Sequence, residues 1–415
     1  MSAPAPLRAL ATLYRDSFAG LPRRTWLLCF AGFVNRSGSM VVPFLSIYTS
    51  RRFGFTVEDA GFVVGLYGLG AIFGSLLGGW LCDRLGPVRV QIATLGVAGL
   101  WMMLLPLLRD PTWFALAIVV LGLLADAFRP GSITAAAASV PPALRRRAMS
   151  LNRLMMNAGW AFGPTIGGFL IDVDARWLFV ADGGTCLLAA TFLAVFLRGW
   201  QPHVETTAGA TAPSALRGPF RDRYFLLLMA ANLAAMVGFM QYFTTGTRYF
   251  ENDLHLDGWT IGVLLAINPV MILLFEMPVV HLLRARSPLP TVALGSFLYA
   301  AGYALLLVPE LGITGAALAM VVVAIGELLQ MPMISSHIND HAPAHARGAY
   351  NGVYGMCFCL GLVIAPSLGG FSYERGGPFG LWAMTVGLTL LAALGFLALH
   401  RRSLRRGSTE PLTRG

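Results

Sequence analysis

The chain has 415 residues, of which 56% are hydrophobic and only 12% are charged, and its mean hydropathy is +0.67. A chain of this length and composition is too apolar to be soluble, so it belongs in a lipid bilayer. The formal net charge is +10, but the arginines are spread over many short segments beside apolar stretches, which excludes a compact nucleic-acid-binding domain.

Apolar stretches of about 20 residues, the length of an α-helix that crosses a hydrocarbon core, recur along the chain. In the first half we predict six spans, at Thr25 to Tyr48, Glu58 to Leu81, Val88 to Leu108, Trp113 to Val140, Met149 to Ile171 and Trp177 to Leu197. Six more follow, at Tyr224 to Thr247, Gly258 to Leu283, Pro290 to Val308, Ile313 to Ser336, Gly348 to Tyr373 and Phe379 to His400. The pattern predicts an all-α membrane protein with twelve transmembrane helices.

A polar segment separates the two sets of spans. Residues 201–222 are rich in Ala, Thr and Pro, a composition typical of a linker. We therefore predict two pseudo-symmetric six-helix bundles, over residues 25–200 and 223–400, joined by this linker. Residues 1–24 and 401–415 are predicted to lie outside the membrane as an amino-terminal segment and a tail.

The basic residues predict the topology, and all 30 of them are arginines. Counted by the predicted spans, most lie on one side of the membrane, in the amino-terminal segment, alternate loops, the linker flanks and the tail. The other side carries only Arg51, Arg52, Arg109, Arg176, Arg248 and Arg375. By the positive-inside rule, both termini and the linker are expected in the cytoplasm.

A Gly/Pro signature occurs twice, about 200 residues apart, each time inside an apolar span. The first copy contains Gly159, Gly163, Pro164, Gly167 and Gly168, and the second contains Gly361, Ala365, Pro366, Gly369 and Gly370. Small residues three or four positions apart let helices approach closely, and proline permits a bend. The repetition predicts a duplicated membrane unit, an arrangement found in transporters.

A further motif ends the second predicted span and reads Gly79-Trp-Leu-Cys-Asp83-Arg84-Leu-Gly86-Pro87-Val-Arg89. With the twelve predicted spans and the doubled signature, it resembles the Gly-x-x-x-Asp-Arg-x-Gly motif of the major facilitator superfamily, although Pro87 replaces the first of the basic residues that follow. The resemblance covers essentially the whole chain. It implies that Gly79, Asp83, Arg84, Gly86 and Arg89 take part in gating, with Asp83 pairing with arginine and facing a helix amino terminus across the interface. The alternative is a charged helix end that only marks the membrane surface.

The Gly159 and Gly361 signatures resemble the fifth-helix motif of the antiporter branches of that superfamily. The resemblance implies that they seal the central pathway against leak and that the direction of transport is export. The alternative is ordinary helix packing, which is compatible with either direction.

Ionisable residues inside a membrane are energetically costly and therefore mark functional sites. The predicted spans contain Arg36, Asp126, Arg129, Asp182, Glu276 and Glu327. Counted at about 1.5 Å per residue, Arg36, Asp126 and Glu327 fall near the bilayer midplane. An offset of 201 residues relates Asp126 to Glu327, so the two acids are predicted to occupy equivalent places in the two halves and to face a common cavity.

Glu327 is predicted to be the main proton carrier, with Asp126 second, because an isolated carboxyl in apolar surroundings favours its protonated form. An ion pair between Glu327 and Arg36 is the structural alternative. Asp126 and Arg129 are three residues apart and are predicted to pair on one helix face. The family resemblance implies a proton-transfer role for Arg129, although Pro130 departs from the usual sequence.

The other two acids have less specific predictions. Asp182, near the outer end of its span, is predicted to be a satisfied interfacial carboxylate. Glu276 lies closer to the cytoplasmic mouth, where gating and packing are both open. A drug-type cavity needs adaptable apolar walls with few polar groups, and the residues predicted to line it are Asn35, Met40, Met236, Met240, Tyr242, Gln330, Met331 and Tyr354. Ordinary packing is the alternative for each.

The first span resembles a drug-efflux subgroup and, distantly, the proton-coupled peptide transporters. Peptide transporters carry Glu-x-x-Glu-Arg there and a lysine in the fourth helix, whereas this chain has Asn35 in place of the second acid and no lysine. Because the sequence has no phosphate loop, no Gly-x-Ser-x-Gly elbow and no zinc-ligand spacing, we predict no enzymatic activity, no metal and no cofactor other than a proton gradient.

The sequence therefore predicts a monomeric, proton-coupled exporter of small amphipathic or cationic compounds in a bacterial inner membrane. It would work by alternating access and bind its small-molecule substrate, protons and lipid, but no nucleic acid. The alternative is a proton-coupled importer of a small nutrient or peptide-like solute. A receptor or scaffold on the same fold is the non-transport alternative.

Overall fold

A computed structural model describes residues 18–202, 218–283, 286–343 and 346–407. These residues are almost entirely helical and contain no β-strand. In chain order the helices are α1 (Arg23–Ser37), α2 (Val41–Phe53), α3 (Val57–Leu85), α4 (Pro87–Leu104), α5 (Pro111–Asp126), α6 (Phe128–Ala138), α7 (Arg145–Asp174), α8 (Arg176–Phe196), α9 (Arg223–Met240), α10 (Gly246–Asn252), α11 (Gly258–Leu283), α12 (Pro288–Leu305), α13 (Gly312–His341) and α14 (Arg347–Gly407). Most of the predicted amino-terminal segment, linker and tail lies outside the described residues.

Nine helical segments of the described chain are long and apolar enough to cross a membrane: Arg23–Phe53, Val57–Leu85, Pro87–Leu107, Pro111–Ala138, Arg176–Phe196, Arg223–Asn252, Gly258–Leu283, Pro309–His341 and Arg347–Arg402. This number is smaller than the predicted twelve. The helices α7 and α12 do not qualify, because charged and other polar residues in α7 and prolines in α12 dilute their apolar character. The segment Arg347–Arg402 counts once although it holds two predicted spans.

The last helix, α14, doubles back on itself. It is 61 residues long, and a straight helix of that length would extend about 90 Å, three times the thickness of a hydrocarbon core. Its backbone leaves helical geometry at Gly377, with φ 58° and ψ −157°. A Cβ atom placed on Gly380 would lie 2.7 Å from the carbonyl oxygen of Ser372, which is possible only if the chain reverses between them. Both arms pack along α9.

Three predicted spans are each built from two helices. The first is interrupted between Ser37 and Val41, and the fourth is interrupted at Ala127. The seventh is interrupted by a short 3-10 turn, Gln241–Phe243. Interrupted helices leave backbone N–H and C=O groups free for other partners, and within membranes they are tolerated where they are buried in protein or line a cavity.

The first Gly/Pro copy packs α7 between two neighbours. A Cβ atom on Gly159 would lie 2.6 Å from Cβ of Arg36 on α1, and Gly163 and Gly167 face the junction of α1 and α2. On the other face, Gly168 meets the backbone of Gly258 in α11. The signature therefore joins its own half of the chain on one side and the second half on the other.

The second copy repeats this arrangement on α14. Gly369 lies against Gln241 after α9, in its own half, and Gly370 lies against the backbone of Val57 in α3, in the first half. The carbonyl oxygen of Pro366 faces Gly61, also in α3. Both copies thus form close helix contacts related by the repeat.

The two ends of the helices differ in charge. We call the end that carries Arg84, Arg89 and Arg145 to Arg147 the arginine-rich end. We call the end that carries Arg51 and Val57 the opposite end. The interface between the first half of the chain (residues 18–202) and the second half (residues 218–407) runs from one end to the other, mainly where α3 meets α14 and α7 meets α11.

Candidate functional site

Glu327 lies near the middle of α13 and is half-buried. The side-chain amide of Asn268, in α11, donates a hydrogen bond of 2.9 Å to the Glu327 carboxylate. Asn268 precedes Pro269, which removes a backbone donor from the interior of α11. Among the described residues no arginine forms an ion pair with Glu327, so the predicted alternative of a pair with Arg36 is not present. A neutral amide holds the carboxyl in place.

Asp126 has an equivalent partner in the first half of the chain. It ends α5 in the middle of the fourth predicted span, and Tyr67, in α3, lies close enough to interact with it electrostatically. Asn268 and Glu327 are 59 residues apart, and Tyr67 and Asp126 have the same separation. Each mid-helix acid therefore lies near a neutral polar side chain of the corresponding neighbouring helix.

The described residues include no direct ion pair between Asp126 and Arg129, so their predicted pairing is present only as a longer-range electrostatic interaction. Ala127, which lies between them, keeps right-handed helical angles, and its N–H bonds the carbonyl of Leu123 at 3.2 Å. Within the described chain Arg129 forms no ion pair, and its guanidinium lies over the ring of Phe358 in α14, 5.0 Å from the centroid. Arg129 therefore extends from the first half of the chain onto the second.

Arg36 is half-buried at the end of α1, and among the described residues it has neither an ion pair nor a hydrogen bond from its guanidinium. Both Arg36 and Arg129 are close enough to Asp126 to act on it electrostatically. A charged side chain is costly in the interior of a membrane protein unless it is paired. Arg36 and Arg129 thus lie near one acid, Asp126, without a direct ion pair to it among the described residues.

Asp182 is satisfied, as predicted, and it is buried, with an exposed fraction of 4%. Its carboxylate accepts a hydrogen bond of 3.3 Å from the backbone N–H of Val41, the first residue of α2. A carboxylate at a helix amino terminus satisfies free N–H groups and complements the helix dipole. Asp182 therefore holds the second half of the interrupted first span.

Glu276, in α11, forms an ion pair of 2.9 Å with Arg153 of α7. Among the described residues, this is the ion pair that links the two halves near the arginine-rich end. The Glu276 carboxylate is largely covered, with 13% of its side chain exposed, whereas 44% of Arg153 is exposed. Of the two predicted roles, gating and packing, this contact is compatible with both. Tyr354 lies close enough to interact electrostatically with Arg153, Glu327 and Arg129.

Most residues predicted to line a cavity are packed in this conformation. Buried side chains of this set are Asn35, Met40, Met236, Met240, Tyr242 and Gln330. Asn35 donates to the Cys186 sulfur at 3.3 Å, and Gln330 lies against Gly295 of α12. Met331 and Tyr354 are partly exposed. Their lining role stays a prediction.

The motif predicted to act in gating lies at the arginine-rich end. Asp83, Arg84 and Arg89 are exposed, and the Arg84 guanidinium lies 4.1 Å from the centroid of the Trp80 ring. Among the described residues Asp83 makes no ion pair. The contact predicted for it across the interface is therefore not formed in this conformation.

The glycines of this motif have different surroundings. Gly86 adopts a left-handed φ of 86° between α3 and α4, and a side chain there would collide with Gln201. The side-chain amide oxygen of Gln201 accepts a hydrogen bond of 3.2 Å from the backbone N–H of Val88 at the start of α4. Gly79 has open space around its Cα atom, so the structure gives no packing reason for a glycine there.

At the opposite end several polar contacts join the two halves. Arg51 donates a hydrogen bond of 2.9 Å to Glu251, and the backbone of Val57 donates one of 2.8 Å to Glu374. The backbone of Trp259 donates one of 3.1 Å to Asp172. Together with the Gly168 and Gly370 contacts, these bonds close the interface at the opposite end.

Sequence reasoning missed several partners. Asn268 is detectable as an Asn-Pro pair inside an otherwise apolar helix, and Tyr67 as the residue 201 positions before it. Arg153 lies near the start of its predicted span, close to the arginines of the preceding loop, and nothing in the local sequence indicates a partner in the second half. The contact of Arg129 with Phe358, and the T-shaped contact of Trp160 with Phe243 at 6.0 Å, are tertiary and leave no local signal.

A helical chain with many membrane-length apolar segments, a repeated packing signature and charged residues in the middle of interrupted helices defines a multi-pass membrane transporter. The family model described as Major Facilitator Superfamily matches residues 28–366 and 316–414. The chain belongs to the Major Facilitator Superfamily.

Curated relatives agree with this membership. The chain is 25% identical over 389 residues to the uncharacterized MFS-type transporter YqjV of Bacillus subtilis (strain 168), covering 91% of this chain and 93% of the relative. It is 23% identical over 338 residues to the quinolone resistance protein NorA of Staphylococcus aureus (strain MSSA476), covering 81% and 86%.

Solved structures share the fold at low identity. A POT family transporter crystallised with a thioalcohol-conjugated peptide has a TM-score of 0.79 at 15% identity, covering 95% of this chain and 99% of that one. A mutant form of the nucleoside transporter NupG has a TM-score of 0.79 at 12% identity, covering 91% and 100%. These similarities establish the fold alone.

Proposed function

We propose that the protein is a proton-coupled exporter of small amphipathic or cationic compounds. The observation that carries this proposal is the pair of mid-helix acids, Glu327 and Asp126, which have no direct ion pair among the described residues and are related by the repeat; Asn268 donates a hydrogen bond of 2.9 Å to Glu327. A carboxyl that has no cation bound to it can take up and release a proton as its surroundings change. The relationship to NorA favours export.

The architecture that we infer has twelve spans in two six-helix bundles. The two arms of α14 count as separate spans, and α7 and α12 cross the membrane in contact with their neighbours. By the positive-inside rule the arginine-rich end is cytoplasmic, with both termini and the linker, and the membrane is a bacterial plasma membrane. The protein acts as a monomer without a cofactor.

In this assignment the outward-facing end is held by more contacts than the cytoplasmic end. The opposite end, facing outward, is closed by the bonds of Arg51, Val57 and Trp259. The arginine-rich end is joined through Arg153 and Glu276, and Asp83 is not engaged. In the proposed cycle, substrate enters from the cytoplasm as Glu327 and Asp126 lose protons. After the protein changes to its outward-open conformation, protons from outside bind these acids and substrate leaves. Asp83 engages across the interface when the inner end closes.

The test uses everted vesicles that carry a preset, acid-inside pH gradient. Addition of a substrate should dissipate the gradient in vesicles with the native protein. In Glu327→Gln the rate at which substrate dissipates the gradient should fall at least about tenfold, because an amide cannot carry the proton. Glu310→Gln, which changes an exposed acid before α13, is the matched control and should keep it. A full response in Glu327→Gln with normal membrane expression would remove the proposed role.

A proton-coupled importer is the alternative, favoured by the structural likeness to a POT family transporter bound to a peptide conjugate. Right-side-out vesicles distinguish the two. An importer should accumulate substrate when the outside is acidic, whereas an exporter should lower the internal concentration under the same gradient.

A further inference from the structure

A cavity of about 460 Å³ lies at the arginine-rich end, within the second half of the chain. It is formed where α9 begins and where α14 ends, and we call it the α9–α14 cavity. The residues that line it are Arg221, Asp222, Arg223, Tyr224, Leu227 and Arg402. Three of these residues carry a guanidinium, so the cavity brings together positive charges from two separate parts of the chain.

The acid in this cavity is already engaged within the protein. One carboxylate oxygen of Asp222 accepts a hydrogen bond of 3.0 Å from the backbone N–H of Phe225. The other oxygen lies 2.7 Å from Nε2 of His341 and accepts a hydrogen bond of 3.1 Å from the hydroxyl of Tyr350. Among the described residues, none of the three arginines forms an ion pair, and all three are exposed. The cavity therefore carries positive charge that an anion would compensate.

An apolar surface begins one helical turn away from the arginines. Leu227 follows Arg223 by four residues, so it lies on the same face of α9, about 6 Å further along the helix axis. Because α9 begins at the arginine-rich end and runs into the membrane, Leu227 lies on the membrane side of the guanidiniums, and 49% of its side chain is exposed. Tyr224, whose hydroxyl lies 2.8 Å from Nε2 of His337, lies between the two levels, as is usual for tyrosine at a membrane surface.

We propose that the α9–α14 cavity binds the phosphate of an anionic membrane phospholipid, with an acyl chain of the same lipid against Leu227. The planar guanidinium donates two parallel N–H···O bonds to a phosphate. Basic pockets beside transmembrane helices recognise lipid head groups in this way.

The apolar surface and the charge of the cavity select among phosphate-containing molecules. A free phosphate has the same anionic chemistry but nothing to place against Leu227. A zwitterionic phospholipid has the acyl chains, but its cationic head group would lie beside three positive charges, which disfavours it. An anionic phospholipid satisfies both levels of the cavity. This site is remote from Glu327, and its occupation is measured without transport, so its test does not depend on the proposed export function.

The experiment measures the binding of three probes to the purified full-length protein in a neutral detergent: dioleoylphosphatidylglycerol, dioleoylphosphatidylcholine and inorganic phosphate. The two lipids have the same acyl chains and differ in the charge of the head group. The native protein should bind the anionic lipid at least about tenfold more tightly than the zwitterionic lipid. It should bind inorganic phosphate at least about tenfold more weakly than the anionic lipid, because the acyl-chain contact is missing.

Variants of the lining residues test the two levels of the cavity separately. Arg223→Gln and Arg402→Gln should each weaken binding of the anionic lipid about threefold to tenfold. The combined variant Arg221→Gln, Arg223→Gln and Arg402→Gln should reduce the preference between the two lipids to less than about twofold. Leu227→Asn should weaken both lipids by a similar factor and keep the preference. All four side chains are exposed, so these replacements should leave the fold intact.

Arg286→Gln, which removes an exposed arginine before α12 at the same end and outside the cavity, is the charge control and should keep the preference. Equal affinities for the two lipids in the native protein, an unchanged preference in the combined variant, or the same loss in Arg286→Gln would overturn the site. Binding of inorganic phosphate as tight as that of the anionic lipid would show an anion site without a lipid, and would also overturn the proposal.

Discussion

The interface between the two halves of the chain is built differently at its two ends. At the opposite end, glycine contacts bring helix backbones together, and hydrogen bonds from Arg51, Val57 and Trp259 tie them. At the arginine-rich end the corresponding link between described residues is one ion pair, Arg153 to Glu276. Close contact between helix backbones requires glycine at the contact, whereas an ion pair can be broken and re-formed by a change of charge. We therefore expect the opposite end to tolerate substitution less than the arginine-rich end.

The largest loss of transport is expected from Gly168→Leu. A side chain at this position would collide with the carbonyl of Gly258 across the interface, so the opposite end cannot close. Transport should fall at least about tenfold, in the range of severe packing errors. Gly96→Leu is the matched control, because nothing lies within 4 Å of a Cβ atom there.

A reporter cysteine distinguishes an open interface from an unfolded protein. Phe243, which packs against Trp160 of the other half, is changed to Cys in a background without the native cysteines. Gly168→Leu should let a membrane-impermeant thiol reagent reach it from the opposite end. Loss of transport without faster labelling would show that the glycine contact does not control closure.

A smaller effect is expected from the ion pair at the arginine-rich end. Arg153→Ala should increase the rate at which the thiol reagent labels the Phe243→Cys reporter from the arginine-rich end about threefold to fivefold. The reason is that the largely covered Glu276 carboxylate loses its partner. The exchange Arg153→Glu with Glu276→Arg should restore most of the native value. If the exchanged pair labels as fast as either single variant, the contact between the two side chains is not what restrains this end.

At the opposite end, Arg51 and Arg375 should differ in how much their removal increases labelling of the Phe243→Cys reporter. Arg51→Ala removes bonds of 2.9 Å to Glu251 and to the carbonyl of Ile171, and we expect labelling to rise about twofold to threefold. Arg375 is 4.0 Å from Glu58, with both side chains exposed, and Arg375→Ala should change labelling by less than about 1.5-fold. High salt should reduce the Arg51 effect. Equal effects of the two substitutions would contradict this ranking.

The smallest effect on gating is expected from Asp222, which caps α9 at the arginine-rich end within the second half. Burial alone would raise the pKa of this carboxyl, but hydrogen bonds from the backbone of Phe225 and from His341 lower the pKa below its ordinary value. Because the folded-state pKa is below the unfolded-state value, the stabilisation is complete above about pH 4 and is lost as pH falls through the folded value.

Asp222→Asn should therefore lower the melting temperature by about 1–3 °C at pH 7, with transport nearly unchanged. The difference from the native protein should shrink progressively as the pH falls below about 4. Asp340→Asn, an exposed acid in the last turn of α13, is the control and should leave the melting temperature as it is. A difference that persists unchanged at low pH would argue against the carboxylate as the stabilising group.

The sequence predicted the helical membrane class, the family and the repeat, because span length, composition and glycine spacing are local properties. It also related Asp126 to Glu327 through their offset. The partners of these acids required the fold, since Tyr67 and Asn268 lie on other helices. A direct ion pair between Asp126 and Arg129 did not follow from their spacing, because the Arg129 guanidinium lies over the ring of Phe358 in the other half, a tertiary contact that leaves no local signal.

The described helices also explain why fewer spans qualify by composition than the sequence predicted. A helix buried between neighbours, such as α7, needs less apolar surface than one that faces lipid, so charged residues at its ends do not exclude it from the membrane. The reversal at Gly377 depends on a backbone conformation that a Gly-Gly-Pro sequence permits but does not require.

The bond between Asp182 and the first turn of α2 has a mechanical consequence. The helix α2 ends near Arg51, which fastens the opposite end, and begins next to Arg36, which lies in the candidate site. The backbone hydrogen bonding of α2 is separate from that of α1, while Asp182 bonds the start of α2 to α8. We therefore expect a displacement at Arg36 to reach the contacts of Arg51 at the opposite end through the short helix α2.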